Sequence, residues 1–276
     1  MAVAVDAVGT TANSPIPPFD YTGLTIGAGL SNSALVVCAM LDAAATNYAS
    51  ATNTATWDNG GTNQAMTRIG IIGDPANGAF IEYWGLLSPT AGNKTLHYTS
   101  SSASITQTVI NAISLTGVVQ TNIATAMPTA HFSSVSANNT SAPTFNVTSA
   151  SGNMVFGAQA NIATSDSDPL TSPAGATEWI HDTSIAVNGE CYHAAGAGTV
   201  TFTFTAPSPA QNYCGAGIDV VAAAVVVLGA YGQPIFRIKR PAWRRVIENI
   251  RPPVPAWTRA SSGKLITPRR RLLRAA

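Results

Sequence analysis

Apolar and polar residues alternate with a period of two along most of residues 2–229, the spacing that sends successive side chains to opposite faces of a strand. In TVTFTFT, Val200, Phe202 and Phe204 point one way and Thr199, Thr201, Thr203 and Thr205 the other. This predicts a half-buried strand with β-branched residues even on its wet side. ITQTVINAISLTG aligns Ile105, Val109, Ile113 and Leu115 on one face. Two runs abandon the alternation: SALVVCAMLD (33–42) and AFIEYWGLL (79–87) are apolar on both faces, as expected of central strands covered on both sides. Turn signals separate the runs, among them DNGG (58–61), DPANG (74–78), SPTAGN (88–93), SASGN (149–153) and AAGAG (194–198).

Roughly eleven or twelve strands are predicted, with no helix-period segment longer than about two turns. Many short strands joined by Gly, Pro and Asn turns predict an all-β fold. The expectation is one antiparallel β-sandwich, jelly-roll-like or immunoglobulin-like, over residues 1–229. AFIEYWGLL, the SPTAGN turn and the Leu/Tyr-bearing return strand predict a hairpin. Tyr83 and Trp84 are expected to fill the sandwich core, with sugar stacking by either ring as the alternative.

After Tyr231 the pattern stops. Pro234, Pro241, Pro252, Pro253, Pro255 and Pro268 interrupt the chain, and each removes a backbone donor. PAWRRVIENI is the one helical candidate, with Pro241 at a tolerated first-turn position, and it is too short to stand alone in water. Phe236, Trp243, Ile247, Ile250 and Trp257 have no core of their own. Residues 230–276 therefore read as an extended, basic, proline-rich C-terminal arm made to lie on another surface.

Charge sharpens this division. The chain is 46% hydrophobic and only 10% charged, with a formal net charge of +1; ordinary soluble proteins carry about 25% charged residues. Behind the near-neutral total, residues 1–229 hold two cations, Arg68 and Lys94, against twelve acids, a balance of −10. The arm holds twelve cations against Glu248 alone, a balance of +11. Ten of the twelve are arginine, the side chain suited to bidentate pairing and to stacking on rings. The candidate partner-binding residues are Phe236, Arg237, Arg240, Trp243, Arg244, Arg245, Arg251, Trp257, Arg259, Arg269, Arg270 and Arg271.

Three partners suit such an arm. Arginines with aromatic anchors are the usual centre of a protein interface. PRRRLLR suits nucleic-acid phosphates, which leaves the prolines and apolar residues of 234–257 unexplained. An anionic membrane surface is the third; no membrane partner is expected here. A protein partner accounts for most of the features, and further copies of the chain qualify, since an acidic body attracts a basic arm. Fully extended at about 3.3 Å per residue, the arm reaches beyond one such domain.

Candidate chemistry is sparse. EWIHDTSIAVNGECYH gathers Glu178, His181, Asp182, Glu190, Cys191 and His193, but its spacing fits no closed zinc site. TSDSDP (164–169) lacks the glycine and bidentate glutamate of an EF-hand loop. There is no G-x-S-x-G elbow and no phosphate loop. Neither catalysis, a metal nor another cofactor is expected. Cys38, Cys191 and Cys214 allow at most one bridge. The opening residues have no basic or apolar signal region, and the longest apolar run, 220–231, is too short for a membrane span. Synthesis in a cytoplasm is expected.

SNSALVVCAML, TATWDNGGTNQAMTRIG, AFIEYWGLLSPTAGNKTLHYTSS and VINAISLTGV, in that order, resemble a β-sandwich module of bacteriophage virion proteins and bacterial surface proteins. SAPTFNVTSASGNMVFGAQA and AGTVTFTFTAPSPAQNYCGAGIDVVA continue the likeness, which spans roughly residues 20–225. The resemblance implies a structural or adhesive module on a virion or cell surface. The expected function is a non-enzymatic virion structural protein of a tailed bacteriophage, specifically a capsid decoration protein held by its arm. The alternative is a tail- or fibre-associated adhesin that binds carbohydrate.

Overall fold

The computed structural model describes residues 1–14, 16–43, 52–73, 78–102, 104–137, 144–161, 175–182, 188–204 and 213–224. Residues Met1–Val225 form one compact unit. The expected arm, residues 230–276, and the TSDSDP loop lie outside the described residues.

The architecture is all-β and antiparallel, in two tiers. In the first tier, sheet I runs β1 (Ala4–Val8), β12 (Ile105–Thr116), β5 (Ala34–Ala43), β9 (Ala79–Leu87), β8 (Thr67–Gly73), with β2 (Ala12–Ser14) also paired to β12. Sheet II runs β3 (Phe19–Tyr21), β11 (Leu96–Ser100), β6 (Asn53–Trp57), β7 (Gln64–Ala65), and β4 (Thr25–Ile26) pairs with β10 (Gly92–Asn93). In the second tier, sheet III runs β13 (Ser133–Ala137), β19 (Tyr213–Val220), β15 (Met154–Asn161), β17 (Asn188–Ala195), β16 (Thr177–Asp182). Sheet IV is β14 (Thr144–Thr148) with β18 (Thr199–Thr203). A four-residue helix, α1 (Ile123–Ala126), and a 3₁₀ turn, Thr129–His131, connect the tiers. Asn122 caps α1, its Oδ1 accepting from the Thr125 backbone N–H at 2.8 Å.

Core composition sets the stacking order II, I, III, IV. Along β5, Leu35, Val37, Ala39 and Leu41 join Trp84, Trp57, Leu96 and Tyr98 between sheets I and II. The alternate residues Val36, Cys38 and Met40 join Phe156, Ala158, Cys191 and Ile218 between sheets I and III. Phe145, Val147 and Phe202 close on Val155, Tyr192 and Ala194 between sheets III and IV. Both faces of β5 are therefore buried, which is why its sequence reads as an unbroken apolar run. Each fully buried Leu, Val, Phe or Met side chain contributes about 1.5–3 kcal/mol of hydrophobic stabilisation.

Three expectations need amending. The single two-sheet arrangement is two stacked tiers, because both inner sheets have two apolar faces. β9 and the return strand β11 are not a hairpin: β9 pairs with β5 and β8 in sheet I, and β11 with β3 and β6 in sheet II. The connection at 88–95 arches between layers, with Ser88 at φ 50 and β10 tied to β4. Ile105 does not share a face with Val109, Ile113 and Leu115. A register shift between Ile105 and Gln107 turns Ile105 toward sheet II, while the other three face sheet III. Val200, Phe202 and Phe204 do face inward together, with Thr199, Thr201 and Thr203 exposed.

Candidate functional site

The arm residues from Phe236 to Arg271 singled out by the sequence lie outside the described residues, so the described chemistry is that of the body. Its most elaborate polar site is buried within the first tier. Glu82 interrupts the apolar run of β9 and is fully buried. Its Oε1 accepts from Asn53 Nδ2 at 2.8 Å and from Arg68 Nη1 at 3.1 Å; its Oε2 accepts from Tyr98 Oη at 2.8 Å and Trp84 Nε1 at 3.1 Å. Four donors from β6, β8, β9 and β11 thus converge on one carboxylate and cross-link sheets I and II. A buried carboxylate needs such satisfaction. Arg68 also lies over the Trp84 ring, 6.0 Å from its centroid. Sequence reading passed over Glu82; the signal was a lone acid within a strand otherwise apolar on both faces.

A related site lies in the second tier. Tyr192 Oη donates to Glu190 Oε2 at 2.7 Å, with both residues buried. Burial first, then the Glu190 hydrogen bond and the nearby charges of Glu190 and Glu178, push the Tyr192 phenol far above its ordinary pKa.

At one corner, Asp58 organises the DNGG turn. Its Oδ2 accepts from the Thr62 backbone N–H at 3.1 Å, the Thr62 hydroxyl at 2.9 Å and Thr90 Oγ1 at 3.2 Å, while Lys94 Nζ lies 3.2 Å from Oδ1. The two Thr62 bonds, followed by Lys94, lower its pKa from 3.8 to about 2. Both cations of the body are therefore paired with carboxylates.

Two groupings invite a catalytic reading and do not have its geometry. Asp219, fully buried, accepts from Ser149 Oγ at 2.6 Å and Asn153 Nδ2 at 2.9 Å, and His131 Nδ1 lies 3.0 Å from its Oδ2. In a nucleophilic triad the serine must contact the histidine; here the aspartate is the hub and the serine only braces it. EWIHDTSIAVNGECYH is divided by the pleat of β17: Glu190 points toward sheet IV, while Cys191 joins the core between sheets I and III. His193 packs beside Phe156, ring centroids 6.0 Å apart, and burial lowers its pKa. Among the described residues no group of three or more His, Cys, Asp and Glu is placed to hold a metal ion.

The three cysteines are buried and none is in a disulfide. Cys38 and Cys191 meet Tyr83 between sheets I and III, where burial pushes the Cys38 thiol and the Tyr83 phenol upward. Tyr83 and Trp84 are both buried, so neither ring is placed to stack on a sugar. No aromatic among the described residues is exposed; Phe19 and Phe132 are half-buried. Nor is any helix among them long and apolar enough to cross a membrane. No protein-family model, curated protein or solved structure matches this chain.

Proposed function

We propose that the protein is a non-enzymatic virion structural protein, a capsid decoration protein of a tailed bacteriophage, whose body is the exposed particle and whose residues 230–276 are its anchor. One observation carries the reading. The body pairs both of its cations and leaves no aromatic exposed among its described residues, while twelve cations, two tryptophans and Phe236 are concentrated in the arm. Anchoring groups and folded frame are thus separated along the chain. The order β1-β12-β5-β9 facing β3-β11-β6-β7 supports a jelly-roll sandwich, an architecture of viral capsid and lectin domains. That support is fold analogy alone.

The arm docks on other virion proteins and on neighbouring copies, with arginines on carboxylates and Trp243 and Trp257 in pockets. The test is Trp243→Ala and Arg244→Ala in the full chain. Loss of assembly with an unchanged melting curve for the body is expected. Unchanged assembly, with added glycans raising the melting point, would favour the tail- or fibre-associated adhesin instead.

A further inference from the structure

We infer that this chain is one β-module present twice, and that the seam between sheets I and III is a homotypic docking surface joining the two copies about an approximate two-fold axis. The inference is independent of the proposed virion role.

Strand order is the first observation. Sheet I reads β1-β12-β5-β9-β8 and sheet III reads β13-β19-β15-β17-β16. Each begins with its tier's first strand paired to the last, and the sequence order of the five strands is the same. Outside them, β3 pairs with β11 as β14 pairs with β18.

Register makes the correspondence residue by residue. Thr67 and Arg68 lie opposite Gly85 and Trp84, then a register shift precedes Gly70 opposite Tyr83. Thr177 and Glu178 lie opposite His193 and Tyr192, then the same shift precedes Ile180 opposite Cys191. Bulges are specific local features, and finding one at the same rung of the same ladder fixes the alignment. Arg68 corresponds to Glu178, Glu82 to Glu190, Tyr83 to Cys191 and Trp84 to Tyr192. Following the ladders across the sheets, Val37 corresponds to Gly157 and Ala112 to Gly217. Before β5 and β15, Asn32 and Gly152 correspond, and both have positive φ, 52 and 92.

The docking supplies the axis. In an isologous interface, groups on the two-fold axis meet their own counterparts, and all other contacts occur twice. β5 packs on its counterpart β15. Tyr83 Oη lies 3.3 Å from Sγ of its counterpart Cys191. Past the ends of β12 and β19, Val118 is bridged to Ala222, and the Ala223 backbone N–H donates to Gly117 O at 2.7 Å; Gly117 and Ala222 are counterparts, as are Val118 and Ala223. Away from the axis, β8 on β19 is matched by β16 on β12, and β9 on β15 by Met40 of β5 against Gly189 of β17.

Exchanging the two axial residues tests this in the full chain. Tyr83→Cys alone empties the axis and Cys191→Tyr alone overfills it; each is expected to lower the melting midpoint by about 5–15 °C. Tyr83→Cys with Cys191→Tyr restores the same pair in mirrored places and is expected to recover most of that loss. A double variant no better than the worse single variant overturns the axis. A second measurement holds if these variants fail to fold. A protease site inserted between Thr121 and Asn122 of the full chain is cut under native conditions. The pieces are expected to stay together at the intact mass and to unfold in one transition. Separation on gel filtration overturns the seam as a docking surface.

Discussion

The two tiers place a glutamate at the same point of the same strand and surround it differently. In the first, Glu82 meets a guanidinium, an amide, an indole and a phenol. In the second, Glu190 meets the Tyr192 phenol, and the position of Arg68 is held by Glu178. Glu82 pairs with Arg68 of the neighbouring strand and is tied to sheet II by Asn53 and Tyr98, at the cost of desolvating the carboxylate. In the second tier the Tyr192 phenol lies between two carboxylates and donates to Glu190. The frame is therefore not defined by its buried charges. Bulge position, strand order and the apolar faces persist while the polar filling changes, as expected if packing decides the fold and polar pairs add specificity.

This comparison ranks the effects of substitution. Glu82→Leu removes the acceptor shared by Asn53, Arg68, Trp84 and Tyr98 and should destabilise by about 3–5 kcal/mol in urea unfolding. Glu190→Leu in the second tier should cost less, about 1.5–3 kcal/mol, the scale of a hydrogen bond to a charged group. Equal losses would show that the two carboxylates do the same work. Gly157→Val, which copies the first tier's Val37, comes next. A Cβ at Gly157 would collide with the Phe202 ring, and an overpacking loss of about 1–3 kcal/mol is expected. Phe202 has grown into the space that Val37 fills in the other tier, so Gly157→Val with Phe202→Leu should regain part of that loss.

Exchanging the charges sharpens the contrast. Arg68→Glu places a like charge beside Glu82 and should destabilise. Glu178→Arg copies the ion pair of the first tier and should stabilise by up to about 1 kcal/mol, limited by the exposure of this position. A destabilising Glu178→Arg would mean the second pocket is built for two acids. The smallest effect is on pH. Asp58 has a folded pKa of about 2 against an ordinary 3.8, so its contribution is present above about pH 4 and fades as pH falls toward 2. Asp58→Asn should flatten that part of the stability–pH profile, read by thermal melts from pH 5 to 2.

Much of the frame is legible in the sequence. The two-sided apolar runs at 33–42 and 79–87 became β5 and β9 at the centre of the stack, and TVTFTFT became β18 with its threonines outward. What escaped was set by long-range geometry. Whether LHY returns beside β9 or crosses to another sheet depends on the arch at 88–95, which local turn chemistry does not distinguish. One inserted residue near 106 reversed the face of Ile105. The duplication is hidden because counterparts have diverged in size and charge: Val37 against Gly157, Tyr83 against Cys191, Arg68 against Glu178. The Glu82 site had a signal, an acid in an apolar strand, but its donors are scattered from Asn53 to Tyr98. The arm's charge and aromatic content are plain in the sequence, and they are what the functional proposal rests on.

We propose that the body is a self-sufficient frame and that residues 230–276 are the assembly device. Light scattering of the full chain and of a 1–225 truncation, both nuclease-treated, at low and high salt, tests it most directly. A folded, monodisperse truncation is expected, and a full chain that assembles more strongly at low salt, where Arg–carboxylate pairing is least screened. Identical masses for the two chains at both salt concentrations would contradict it.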